Sequence, residues 1–373
     1  MRLGFTAFGG PAAHIALMKD EVVTRRRWLS EAEFLDLLGA TNLIPGPNST
    51  QMAIHIGYRR AGWRGLMAAG FCFILPAALL VLLCAWAYRK YGGLPQAQAV
   101  LYGVKPVIIA IISYSLRGLI TAALKGRIYI LLGLAALAGA LAGADVLLLL
   151  FSAGAVAAII DWFSQPRRPP AGGLVWVLVI ALTMIVVPSA LTRITRPAGN
   201  VPYSAQALFA FFLKVGMTLY GGGYVLIAFL RDELVHQWHW LSEGQLLDAI
   251  AVGQFTPGPL FTTATFVGYL VGGISGAAIG TIAIFLPSFL LIAISGPLIP
   301  KVRRSRLAGT FLDGVNVAAL ALMAAVTVQL ATAALVDVWT IGMALISLFI
   351  LLRFRINSVW LICAGAACGL IIK

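Results

Sequence analysis

The residues of this 373-residue chain best placed to do chemistry are two Pro-Gly-Pro triplets, each inside an apolar stretch. Residues 42–51 read NLIPGPNSTQ and residues 254–263 read QFTPGPLFTT. Proline has no N–H to give a helix and disfavours a helical residue before it. Two prolines around a glycine therefore stop one half-helix and start another. The first N–H groups of the new half-helix have no acceptor inside it and carry the positive end of its dipole. Pro45-Gly46-Pro47 leads into Asn48, Ser49, Thr50 and Gln51, the first of which are good capping types. Pro257-Gly258-Pro259 leads into Thr262 and Thr263. Both read as anion sites built largely from backbone. A second paired element, FTAFGGP at 5–11 and MTLYGGGY at 217–224, places Gly9-Gly10 and Gly221-Gly222 where backbone can approach a ligand or a second helix.

Ionisable residues add to this. Lys105, in Gly103-Val104-Lys105-Pro106, lies within an apolar stretch. A lysine there costs about 2.5–3.5 kcal/mol on insertion scales, which makes it a functional candidate, with snorkelling to the interface as the competing reading. Asn316 stands at the corresponding point of a later stretch, so a cation and an amide are both available to oxyanion oxygens. Arg117 and Lys214 lie nearer stretch ends, where snorkelling leads. Glu21, Asp36, Glu233 and Asp248 sit at stretch edges. They are candidates to gate a path or carry protons, against helix capping (Ser30 with Glu33 has capping-box spacing) or pairing with nearby arginines. His236-x-x-His239 lacks a third ligand, so neither metal nor cofactor is expected. The four cysteines lie in apolar stretches without a C-x-x-C and read as small fillers.

These residues need a scaffold, and composition names its class. Hydrophobic residues make up 61% and charged residues 11%, with a mean hydropathy of +0.95. Soluble domains carry about 25% charged residues, so a soluble enzyme, a disordered chain and a coiled coil are excluded. The expected fold is an all-α polytopic membrane protein. Apolar stretches fall near 3–18, 34–58, 63–88, 98–120, 128–143, 146–161, 174–191, 205–230, 247–270, 274–299, 309–333, 338–352 and 357–372. The first of these is short, as if residues upstream were missing. The net charge of +14 would suggest nucleic acid in a soluble protein. Here the basic residues lie mostly in the gaps and no nucleic-acid partner is expected. They favour the amino terminus and even gaps over the odd gaps and carboxyl terminus by 15 to 9, predicting a cytoplasmic amino terminus and an outer carboxyl terminus. Arg25-Arg26-Arg27 opposes this.

The chain also repeats itself. At an offset of 212, Trp28-Leu29-Ser30-Glu31 meets Trp240-Leu241-Ser242-Glu243 and the two Pro-Gly-Pro triplets coincide. At 211, Gly57-Tyr58, Gly65 and Pro76 meet Gly268-Tyr269, Gly276 and Pro287. About six stretches per repeat with one between them predict two repeats of opposite orientation, as in inverted-repeat transporters. The expected organisation is 1–161, a linker with one transmembrane helix at 162–204, and 205–373.

The motifs Phe8-Gly9-Gly10-Pro11, Pro45-Gly46-Pro47 and Lys105-Pro106, with the second Pro-Gly-Pro and the WLSE tetrads, resemble the chromate ion transporter family in its long two-repeat form. Gly223 replaces the proline of the first-half motif. The resemblance implies a bacterial inner-membrane protein that exports chromate and confers resistance to it. Sulfate is a competing tetrahedral dianion, and sulfate or other oxyanion uptake is the nearer alternative. A membrane-embedded enzyme on anionic lipid head groups is a remote one, and no enzymatic activity is expected. The expected partners are chromate and the lipid bilayer, and a homodimer stays open.

Overall fold

The structure, a computed structural model, describes Gly4, 10–41, 44–124, 126–164, Val175, Leu182, 202–219, 225–295, 306–354, Ile356 and 358–373. Gly9, Gly221, Gly222 and nearly all of the linking stretch 174–191 lie outside the described residues. Every described element is helical. The first half contains α1 (Gly10–Lys19), a π-helical turn (Asp20–Arg25), α2 (Glu31–Thr41), α3 (Asn48–Tyr91), α4 (Pro95–Ala123), α5 (Arg127–Leu141) and α6 (Val146–Ser164). The second contains α7 (Ala205–Thr218), α8 (Val225–Phe229), a π-helical turn (Leu230–Gln237), α9 (Glu243–Phe255), a 3-10 turn (Leu260–Thr262), α10 (Thr263–Ser295), α11 (Arg306–Ala334), α12 (Val338–Phe354) and α13 (Ser358–Ile372).

The sequence repeat is a structural repeat in its details. Ser30 and Glu33 close a capping box on α2, and Ser242 and Gln245 close its counterpart on α9. Each π-helical turn is followed by a residue with φ of +53°, Arg27 and His239, which are 212 apart. Ala61-Gly62 in α3 and Gly272-Gly273 in α10 break the helix, with Gly62 and Gly273 at φ of +56° and +64°. These are reversals rather than mild kinks. Gly57 and Gly65, eight residues apart, would be about 12 Å apart along a straight helix. Here a Cβ added to Gly57 would lie 2.3 Å from the Gly65 carbonyl oxygen, and one added to Gly268 would lie 2.2 Å from that of Gly276. The chain folds back as a hairpin of a short arm (48–60) and a long arm (63–91), and again in α10. Bare glycine faces let the two arms touch backbone to backbone, which explains the repeated Gly57/Gly65 pattern.

The two halves do not pack as separate bodies. Helix α4 lies against α12 and α13 of the second half, α11 lies against α5 and α6 of the first, and α4 meets α11 between them. Gly103 on α4 meets Gly365 on α13, where an added Cβ would lie 1.9 Å from a carbonyl oxygen. The repeat-related Gly314 on α11 meets Gly154 and Ala153 on α6. Small residues allow this approach, as in other membrane helix pairs. Among the described residues, five helices are long and apolar enough to span a bilayer: Asn48–Tyr91, Pro95–Thr121, Val146–Ser164, Leu260–Ile294 and Arg306–Ala334. On the long arm of α3, Trp63, Met67, Phe71, Leu75, Leu79 and Leu83 recur every fourth residue and are exposed. An apolar stripe that long on one helix face suits hydrocarbon, not water. The molecule is a multi-pass membrane protein.

Candidate anion-binding site

The two Pro-Gly-Pro turns come together. His14, Pro47 to Ser49 and Pro259 to Phe261 line one small cavity, so the half-helix starts of both repeats face a common point. Gly46 and Gly258 have φ of +127° and +101°, a region open to glycine. Each turn is wedged against the other half. The Gly46 N–H donates to the Leu219 carbonyl at 2.7 Å. A Cβ on Gly46 would lie 2.7 Å from the Ser288 hydroxyl oxygen, and one on Gly258 would lie 2.5 Å from the Ala77 Cβ. Ala77 and Ser288 are themselves repeat-related, 211 apart.

Helix α3 begins at Asn48 with Pro47 in the cap position, so no side chain caps its first turn. The Gln51 side-chain amide donates to the Pro45 carbonyl at 2.6 Å and holds the turn closed. The Thr262 and Thr263 hydroxyls donate to the Pro259 and Leu260 carbonyls at 2.9 and 2.7 Å, so their hydrogens are committed to backbone. The Thr50 and Ser288 hydroxyls are buried and find no hydrogen-bond partner among the described residues. Buried hydroxyls in that condition favour a ligand or water. The cavity measures about 10 Å³, roughly the room for a single water. A tetrahedral oxyanion does not fit a cavity of this size and would need the two starts to part.

Lys105 lies elsewhere. It lines a vestibule of about 430 Å³ and mixed character, with Tyr88, Tyr102, Gln245 and Asp248 on one part of the wall and Leu101 and Val336 on another. Its ammonium pairs with Asp248 at 3.2 Å, and the Tyr88 hydroxyl donates to the other Asp248 oxygen at 2.9 Å. From Asp248, α9 runs seven more residues to its end at Phe255, about 10 Å at helical rise, and Pro257 follows two residues on. The vestibule and the seat are thus two stations joined by one half-helix. At the vestibule rim the Tyr102 hydroxyl donates to Asp337 at 2.6 Å. That bond, with the Thr340 backbone N–H, holds the Asp337 carboxyl below the usual carboxylate range.

The remaining candidates are spread out. Asn316 is half-buried on α11, and Asp36 is exposed on α2. Glu21 pairs with Arg26 at 2.6 Å. Glu233 is buried and pairs with Lys214. Lys214 does not snorkel as its position near a stretch end suggests. It is 3% exposed, within 6 Å of the Phe211 and Phe229 rings, because the π-helical turn covers it and brings Glu233 onto it. Sequence reasoning missed Tyr88, Ser288 and His14. Tyr88 is 160 residues from the carboxylate it serves, so nothing local marks it. Ser288 carried a signal, since it is the polar member of a repeat pair whose other member is Ala77.

The fold defines a polytopic membrane protein in which the Pro-Gly-Pro breaks of two repeats meet at one small cavity. The pattern of the Chromate transporter family matches residues 1–160 and 206–370, and the chain belongs to that family. It is 34% identical to a chromate transport protein of Cupriavidus metallidurans, over 98% of this chain and 90% of that protein. It is 29% identical to a chromate transport protein of Pseudomonas aeruginosa, over 99% and 90%. It is also 29% identical to an uncharacterised transporter of Methanocaldococcus jannaschii, over 100% and 92%. No solved structure matches it.

Proposed function

We propose that the protein is a secondary transporter that exports chromate from the cytoplasm and so confers resistance to it, with no enzymatic step. The observation that carries this reading is the meeting of the two Pro-Gly-Pro half-helix starts, one from each repeat, at one buried cavity. The two repeats would have opposite orientation, with the linking helix in 162–204 setting that relation between 1–161 and 205–373. The amino terminus would be cytoplasmic and the carboxyl terminus outside, in a bacterial inner membrane. First-turn N–H groups, the Thr50 and Ser288 hydroxyls and the Asn48 and Ser49 side chains replace the ion's hydration. Thr262 and Thr263 then act by shaping the second start rather than by donating. Lys105 offsets one charge at the vestibule, and Asn316 supplies an amide at the repeat-related point. Glu21, Asp36, Glu233 and Asp248 are the gating or coupling candidates. An inside-negative potential favours export of a dianion by about 2.3 kcal/mol per charge per 100 mV.

The test is flux of radiolabelled chromate and sulfate in proteoliposomes under imposed voltage. Chromate efflux saturating in the micromolar to millimolar range, with sulfate as competitor, is expected. Lys105→Ala lowers chromate flux at least tenfold while the protein stays monodisperse in detergent. Wild-type flux from that variant removes Lys105 from the path. Sulfate accumulation with no chromate flux replaces export by sulfate uptake.

A further inference from the structure

The Lys105–Asp248 pair joins the two halves, α4 to α9, and its members differ in access. The lysine side chain is 23% exposed to the vestibule and the carboxylate 4%. An anion entering the vestibule therefore meets the cation and not the carboxylate. A tetrahedral dianion has two charges and more acceptor oxygens than Asp248, so it competes for the same ammonium. Once Lys105 turns to the ion, Asp248 keeps a single donor, the Tyr88 hydroxyl at 2.9 Å. A buried carboxylate that loses its cation favours the neutral acid. Among the described residues that line the vestibule, Lys105 is the only basic group. The groups facing Asp248 from the elements around it are Lys105 and Tyr102 on α4 and Tyr88 on α3. Arg89 lines only the adjoining hollow. In the first turn of α9, Glu243 is already held by Arg231 and His236. Tyr102 is engaged with Asp337 and lies under the Lys373 ammonium.

We propose that the vestibule is a counter-ion exchange site, at which binding of the oxyanion to Lys105 is linked to uptake of one proton by Asp248. This deepens the transport reading above and rests on it. The proton comes from vestibule water and forms an O–H on the carboxylate oxygen that faced Lys105, while Tyr88 continues to donate to the other. Charge entering the site falls from two negative to one. The device is one-sided, because the repeat-related positions hold Asp36 and Asn316, and an amide cannot form that ion pair.

The test is calorimetry of chromate binding to the purified full chain in detergent, in two buffers of different ionisation enthalpy, at mildly alkaline pH where chromate is the dianion. The wild type is expected to take up about one proton per chromate, with Kd rising about tenfold per pH unit, the linkage slope of one proton. Asp248→Asn should bind chromate without proton uptake and with a flat pH profile, and Asp248→Glu should restore the wild-type slope. Chromate binding by the wild type with no proton uptake overturns the proposal, whether or not the variants fold. Proton uptake that persists in Asp248→Asn also overturns it. Absence of both binding and proteoliposome flux in the wild type overturns instead the transport reading beneath it.

Discussion

At the scale of single residues, the clearest contrast is between glycines that share a left-handed backbone and differ in surroundings. Gly46 has the Gln51 amide and the Ser288 hydroxyl within 2.7 Å of where a Cβ would sit, whereas Gly62 has nothing within 4 Å. A non-glycine residue at positive φ costs about 1–2 kcal/mol by itself. Gly62→Ala is expected to lower thermal stability by that order and leave transport intact. Gly46→Ala adds a clash at the seat and abolishes chromate flux, as measured in proteoliposomes at equal protein. The buried Lys214–Glu233 pair invites a second comparison. Removing one partner strands a buried charge, at about 3–5 kcal/mol, whereas replacing both with apolar residues of similar volume is often neutral. Lys214→Met should therefore unfold the protein at markedly lower temperature than the double variant Lys214→Met with Glu233→Met. An equal loss in both would assign the pair a role beyond charge satisfaction. Residue types at the seat were legible because proline and glycine constrain their own backbone. Partners such as Tyr88 and Leu219 were not, because nothing in their neighbourhood refers to the distant group they serve.

At the scale of elements, the helix boundaries followed from local rules. The capping boxes at Ser30 and Ser242, the half-helix starts after Pro47 and Pro259, and the 29-residue pair α4 and α11 all lie where turn chemistry and apolar length put them. The breaks at Gly62 and Gly273 fall in the gaps between the stretches 34–58 and 63–88 and between 247–270 and 274–299, but the stretches alone did not say that the two arms fold onto each other. Contact between facing glycines decides the hairpin, and that contact is long-range. The same holds where α4 crosses α13. Gly103→Leu drives a side chain into the Gly365 backbone and should cost at least the 1–3 kcal/mol typical of overpacking. Loss of a monodisperse peak in detergent, or a fall of several degrees in Tm, checks it. Gly118→Leu on the same helix, with open space around it, should leave both unchanged.

At the scale of the whole molecule, the halves are interleaved: α4 depends on α12 and α13, and α11 on α5 and α6. Residues 1–164 expressed alone should fail to give a monodisperse species, whereas co-expression with 165–373 should restore one, measured by size exclusion in mild detergent. A stable isolated half would show that interleaving is not needed for folding. Sequence by itself determined that the chain lives in a membrane, that it is duplicated, and that each copy breaks a helix at Pro-Gly-Pro. Composition, repeat offset and proline chemistry are properties of the chain before it folds. Tertiary structure alone decided that the two breaks meet at one small cavity, and that Lys105 on α4 lines a different hollow, paired with Asp248 of α9. Those facts depend on which helix faces which, and in hydrocarbon that choice is made by close packing of small residues and by pairing of buried charges from distant parts of the chain.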